Sequence, residues 1–146
     1  MYYRGDGAWM GLFEPNGSYR KKAYAFKALG MMLDTPQRLA ATGADTYGLS
    51  VLAGRSGDRK TVQILITNYE IPEKYRKTVY RDNRGYRLKV TNLPWGERPF
   101  QVKRYRTTGS ESWAESESSG EGGTIELGNP LPPPGMELIV ISRRGK

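Results

Sequence analysis

After Pro36 the apolar residues change their spacing, and that change limits what the chain can fold into more than any other feature. Before it, Ala23, Phe26, Leu29 and Leu33 recur at intervals of three and four, which predicts a helix over residues 19–33 with these side chains on its inward face. Tyr24, Ala28 and Met31 widen that face, and Arg20, Lys21, Lys22 and Lys27 occupy the rest. Asn16-Gly17-Ser18 reads as a turn, with Ser18 placed to cap the helix by accepting a backbone N–H bond. Asp34-Thr35-Pro36 ends the helix, because the residue before a proline avoids helical angles. Bases in the first turn oppose the helix dipole, so packing against another element must hold this helix in place.

Beyond Pro36 the period is two. Residues 47–54 read as a strand with Leu49, Val51 and Ala53 on one face, and Ser56-Gly57-Asp58 as a hairpin turn. Residues 61–69 follow, with Val62, Ile64 and Ile66 alternating against Gln63, Leu65 and Thr67. A basic connection over 70–85 holds a short candidate strand at 78–80. Tyr86, Leu88 and Val90 define the next strand, and Phe100, Val102 and Arg104 another. The composition of 116–123 predicts a loop, 125–127 a short strand, the proline-rich 129–135 a stiff connector, and 136–142 the closing strand. Seven to eight short strands, with a turn about every 8–12 residues, predict a mainly β chain: an antiparallel β-sandwich with one N-terminal α-helix.

Composition removes whole classes of chemistry. The chain contains no cysteine and no histidine, so a Ser-His-Asp triad, a Cys-His pair and a zinc site built on those ligands are all excluded. No cofactor or metal is expected. The net charge of +8 is uneven: residues 1–108 carry 20 of the 23 bases and nine acids, whereas 109–129 carry five glutamates and no base. A basic body attracts polyanions, although a solvated surface rich in Lys and Arg explains the same numbers. No apolar run approaches the roughly 20 residues of a membrane helix. The first six residues lack the apolar core of a secretory signal, and the compartment stays open.

The chain carries 3 Trp and 10 Tyr, and exposed rings beside polar groups suit carbohydrate. Trp95 follows Pro94 in a turn, where its ring is expected to be partly exposed. Tyr75, Tyr80 and Tyr86 lie among Arg76, Lys77, Arg81, Asn83 and Arg84. The same mixture would suit single-stranded nucleic acid, but no RNP-type motif supports that partner. The competing reading is that these rings cap the core. Among carboxylates, Glu115 and Glu117 would share a face if their segment were extended, and Glu111 could join them. Glycoside hydrolysis needs two such groups about 5–10 Å apart, whereas a polar loop positions nothing well. Ser18-Tyr19-Arg20-Lys21 matches an S-x-x-K pattern without its partner motifs.

Seven short stretches resemble a known enzyme family. Tyr3-Arg4-Gly5-Asp6, Met10-Gly11-Leu12-Phe13 and Lys22-Ala23-Tyr24-Ala25-Phe26-Lys27-Ala28-Leu29-Gly30 are similar to the last strand-to-helix unit of a glycosidase (β/α)₈ barrel. Thr35-Pro36-Gln37-Arg38-Leu39 resembles the segment leaving that barrel. Leu52-Ala53-Gly54-Arg55-Ser56, Ile66-Thr67-Asn68-Tyr69 and Asn92-Leu93-Pro94-Trp95 resemble the C-terminal sandwich that follows. Together they look like the C-terminal part of bacterial family thirty-nine-like glycoside hydrolases, the group holding β-xylosidases.

The resemblance implies that residues 1–36 are a remnant of the barrel and 37–146 the sandwich. It also implies catalytic glutamates on barrel strands four and seven, upstream of this chain, so no catalytic residue is carried over. The expected function is a non-catalytic accessory β-sandwich that binds a polysaccharide such as xylan or glucan. The candidate sugar contacts are Trp9, Trp95, Tyr75, Tyr80, Tyr86 and Arg84. The expected partners are a polysaccharide or oligosaccharide, an upstream catalytic barrel, and a second copy through residues 1–33, with no membrane. A small self-sufficient glycosidase and a basic nucleic-acid-binding module are the alternatives. Residues 1–33, having lost their barrel, are expected either to associate between copies or to fold back on the sandwich, with Phe13, Tyr24, Phe26, Met31 and Met32 exposed if they do neither.

Overall fold

A computed structural model describes residues 11–44, 48–69 and 85–144. One helix, α1 (Lys21–Met32), is followed by eight strands. They are β1 (Gln37–Arg38), β2 (Leu49–Arg55), β3 (Thr61–Asn68), β4 (Gly85–Val90), β5 (Phe100–Thr107), β6 (Ala114–Gly120), β7 (Ile125–Pro130) and β8 (Gly135–Arg143). They form two antiparallel sheets, one in the order β1-β2-β3-β8-β5-β6 and the other a β4-β7 pair. The expected mainly β architecture with a single helix is what the chain adopts.

The large sheet is covered on both faces. On one face Val51, Ala53, Val62, Ile64, Ile139 and Ile141 meet Tyr86, Leu88, Val90, Ile125 and Leu127 of the small sheet. On the other, Leu65, Met136 and Leu138 meet Ala28 and Met32 of α1. This explains why β3 and β8 are buried almost continuously, although β3 read as alternating. A strand packed on both faces carries apolar residues at odd and even positions alike, and Leu65 is the residue that serves the second face.

The helix is shorter than predicted and turned differently. Ala23, Ala28 and Met32 are buried, and Tyr24 and Met31 pack beside them. Phe26, Leu29 and Leu33 point outward, with Leu33 78% exposed. Apolar residues stand on both sides of this helix, so periodicity alone could not choose between them. The helix is folded onto the sheet, one of the two outcomes expected for it, and Met32 is covered rather than exposed. Ser18 does not cap the helix: its N–H and its hydroxyl both donate to Asn16 Oδ1, and Arg20 stands at the N-cap with its side chain paired to Glu14 rather than capping.

Aromatic and cationic contacts join the helix to the far edge of the sheet. Tyr24 and Tyr105 each stack on Trp113, with centroids 5.4 and 5.0 Å away. Lys27 Nζ lies 4.4 Å from the centre of the Trp113 ring. Lys21 Nζ donates to the carbonyls of Thr108 and Gly109. Lys21 of the first turn thus meets carbonyls of a neighbouring element, which offsets its conflict with the dipole. At the helix exit the chain crosses β2 so closely that a Cβ on Gly54 would collide with the Thr35 carbonyl.

The predicted loop at 116–123 is largely strand β6. Its residues are almost all exposed and it carries no apolar alternation, so only its backbone pairing with β5 defines it. Glu117 faces Lys103 across the pair, with an ion pair at 3.6 Å, and accepts a bond from Gln101. The candidate strand at 78–80 lies outside the described residues.

Candidate functional site

Three features of this fold carry polar or exposed chemistry. The first is a polar network at one end of the space between the sheets. Glu137 lies on β8 at the parity of Ile139 and Ile141, which aims it into the interior, and it is 1% exposed. Tyr86 Oη donates to Glu137 Oε2 at 2.8 Å. Arg104 Nε donates to Glu137 Oε1 at 2.5 Å, and Arg104 Nη2 donates to Tyr86 Oη at 3.0 Å. With its amide oxygen turned inward, Asn129 accepts from both Arg104 and Arg106. Arg106 pairs with Glu111 at 2.8 Å. Burial pushes the Tyr86 phenol up, and the Glu137 charge pushes it further in the same direction. Burial pulls Arg104 down, but the bond to Glu137 and its charge outweigh that and hold the guanidinium above its ordinary range. Every charge here meets a counter-charge or a donor, as buried ions require. The network joins β4, β5, β7 and β8.

The second feature is the outer face of α1. Tyr19, Phe26, Leu29 and Leu33 are 48–78% exposed, which puts four large apolar side chains on the outer side of the helix and the turn before it. The third is a cavity of about 700 Å³ between the inner face of β2–β3 and the chain from Arg87 to Pro94.

The candidate sugar contacts divide. Trp95 is 7% exposed and Tyr86 9%, so both rings belong to the core. The turn at Pro94 tucks Trp95 under the small sheet instead of presenting it, and Tyr86 falls on the inward parity of β4. Neither offers a face for stacking on a sugar. Trp9, Tyr75, Tyr80 and Arg84 lie outside the described residues. Glu115 and Glu117 do share a face, but on an exposed edge strand where Glu117 is engaged by Lys103 and Gln101. Glu111 is held by Arg106 and Thr108. Glu137 was not visible as a special residue, although a lone acid at an inward position of an apolar strand is the signal that marks it.

No protein-family model and no curated protein matches the chain. Solved structures do. It resembles the glucosidase from Croceicoccus marinus with 34% identity and a TM-score of 0.84, covering 94% of this chain and 34% of that one. It also resembles the GH39 enzyme from Xanthomonas axonopodis pv. citri, with 14% identity, a TM-score of 0.73, and coverage of 92% and 32%. A third is the glycoside hydrolase family 30 subfamily 8 xylanase from Clostridium acetobutylicum, with 17% identity, a TM-score of 0.60, and coverage of 93% and 32%. The last two share the fold. In each case the chain spans about a third of the enzyme it matches. Among the described residues no helix is long and apolar enough to cross a membrane. The chain is a relative of the glucosidase over nearly all its residues, and it corresponds to the C-terminal part of a family 39-like glycoside hydrolase.

Proposed function

We propose that this chain is a non-catalytic accessory sandwich that supports a glycosidase barrel, with residues 1–36 as the barrel's last unit and 37–146 as the supporting domain. The observation that carries the reading is the two-sided helix. One side of α1 packs on the sheet through Ala28 and Met32, and the other exposes Phe26, Leu29 and Leu33. Exposed apolar surface of this kind marks an interface, and a barrel is the occupant that the glycosidase relatives suggest. In its absence, the same face is where two copies would associate.

Polysaccharide such as xylan or glucan is proposed as the ligand of the parent enzyme, with Trp9, Tyr75, Tyr80 and Arg84 as the residues to meet it. Trp95 and Tyr86 drop out because they are buried. The alternative of a self-sufficient glycosidase gains no support from Glu111, Glu117 or Glu137, each of which is bound to structural partners.

The test is hydrolysis of a panel of aryl glycosides and xylan by the purified chain, with Glu115→Gln and Glu137→Gln preparations alongside. The expected result is no turnover above background in any of them. Turnover by the parent chain that either substitution abolishes would establish a minimal glycosidase and end this reading.

A further inference from the structure

The hairpin turn ahead of α1 holds a reactive pair of residues. Phe13 and Tyr19 bridge as antiparallel partners, and the Glu14 N–H donates to the Ser18 carbonyl at 2.8 Å. The loop between them is Pro15-Asn16-Gly17, with Gly17 in the left-handed region at φ +83°, the form that a three-residue hairpin loop takes. Asn16, Gly17 and Ser18 are all exposed. Asn16 Oδ1 accepts two bonds from Ser18, one from its N–H at 3.0 Å and one from its hydroxyl at 2.7 Å. Asn16 is the one asparagine of the chain that is followed by glycine.

We propose that Asn16 is a self-modifying site, at which the chain converts with time from an amide to an acid. The Gly17 nitrogen attacks Asn16 Cγ, and the new N–Cγ bond closes a succinimide ring as the Cγ–Nδ2 bond breaks. The proton of the Gly17 N–H passes through solvent to the departing NH₂ group, which leaves as ammonia. Water then opens the ring at either carbonyl and leaves aspartate or isoaspartate at this position. Three features of the turn favour the attack. Asn16 Oδ1 becomes negative as the nitrogen adds, and the two Ser18 donors already stand on it, as in an oxyanion hole. Gly17 has no Cβ to crowd the nitrogen beside it. Nucleophile and carbonyl belong to neighbouring residues, so their encounter has little translational entropy to lose. One bond opposes the step: the Gly17 N–H donates to the Glu14 carbonyl at 2.8 Å, and it must open before the nitrogen can turn to Cγ. Conversion is therefore gated by the turn, and it rises with pH because the deprotonated nitrogen is the nucleophile. The isoaspartyl product lengthens the backbone between Phe13 and Tyr19, whose rings stand 5.3 Å apart. Either product puts a carboxylate ahead of a helix with no acid in its first turn.

The experiment is incubation of the full chain at a series of pH values, followed by trypsin digestion and mass spectrometry of the peptide 5–20, in which Asn16 is the sole asparagine. Exposed Asn92, which precedes Leu93, is the internal control. The expected result is progressive amide-to-acid conversion at Asn16, faster at higher pH and at least tenfold faster than at Asn92, with isoaspartate located by fragmentation. Ser18→Ala keeps the N–H and loses the hydroxyl. It should slow conversion severalfold in the folded chain and leave the rate unchanged in urea, with circular dichroism checking that variant's fold. Gly17→Ala should slow conversion at least tenfold in both conditions. An unchanged amide, equal rates at Asn16 and Asn92, or a Ser18→Ala effect that persists in urea or is absent from the folded chain would each overturn the proposal.

Discussion

Glu137 and Tyr86 show how one residue's parity on a strand decides its chemistry. Each sits at an inward position, and each is buried because the other, together with Arg104, satisfies it. Tyr86→Phe removes the phenol donor and leaves Glu137 with one fewer partner, at a cost of about 1–2 kcal/mol at neutral pH. The pH dependence has a definite sign. The Tyr86 pKa is raised in the folded state, so the fold favours the protonated phenol. That stabilisation is complete below the ordinary tyrosine value of about 10 and is lost as pH rises past it, at up to about 1.4 kcal/mol per pH unit for one proton. Urea melts at a series of alkaline pH values should show the gap between parent and Tyr86→Phe narrowing above pH ~10. A gap that stays constant would mean that the phenol titrates normally. From sequence, Arg104 was legible on the face of Phe100 and Val102, and Tyr86 on that of Leu88. What could not be read was that β8 brings Glu137 between them, because that pairing joins residues far apart in the chain.

At the scale of elements, period-two spacing located β2, β3, β4, β5 and β8 to within a few residues. It failed at β6, whose Glu and Ser residues have no apolar alternation to detect. It misassigned the inward face of α1, because Ala28 and Met32 on one side and Leu29 and Leu33 on the other are equally apolar. What decides the orientation is the Tyr24–Trp113–Tyr105 stack with Lys27 over it, a contact between elements roughly 90 residues apart. Trp113 adopts a left-handed backbone with φ +55°, a conformation that costs roughly 1–2 kcal/mol for a bulky residue, so the stack must outweigh it. Trp113→Ala should therefore free the helix from the sheet edge. Hydrogen exchange should show the amides of α1 opening with protection reduced at least tenfold, while β3 and β8 keep theirs. Equal loss of protection in the helix and both central strands would mean that the helix and sheet unfold as one unit.

For the whole molecule, the sequence established the sandwich and its likeness to the tail of a glycosidase, and the structure adds what each face of the large sheet is covered by. The candidate binding residues were less legible than the fold, because a ring in a turn can point either way and only packing decides which. Among the described residues β6 is the long outer strand of the large sheet, with β1 only two residues long at the other border. An outer strand is a place where one molecule can extend another's sheet without limit. Here that strand bears Glu115 and Glu117 on a chain that is otherwise basic, and edge charges oppose end-to-end growth. Glu115→Val with Glu117→Val would leave the core untouched and convert this border into an apolar β segment. Such a variant should fold normally at low concentration yet scatter light and bind thioflavin on standing, whereas the parent stays clear. The acidic strip that resembles a catalytic cluster in the sequence is then better understood as what keeps this protein dispersed.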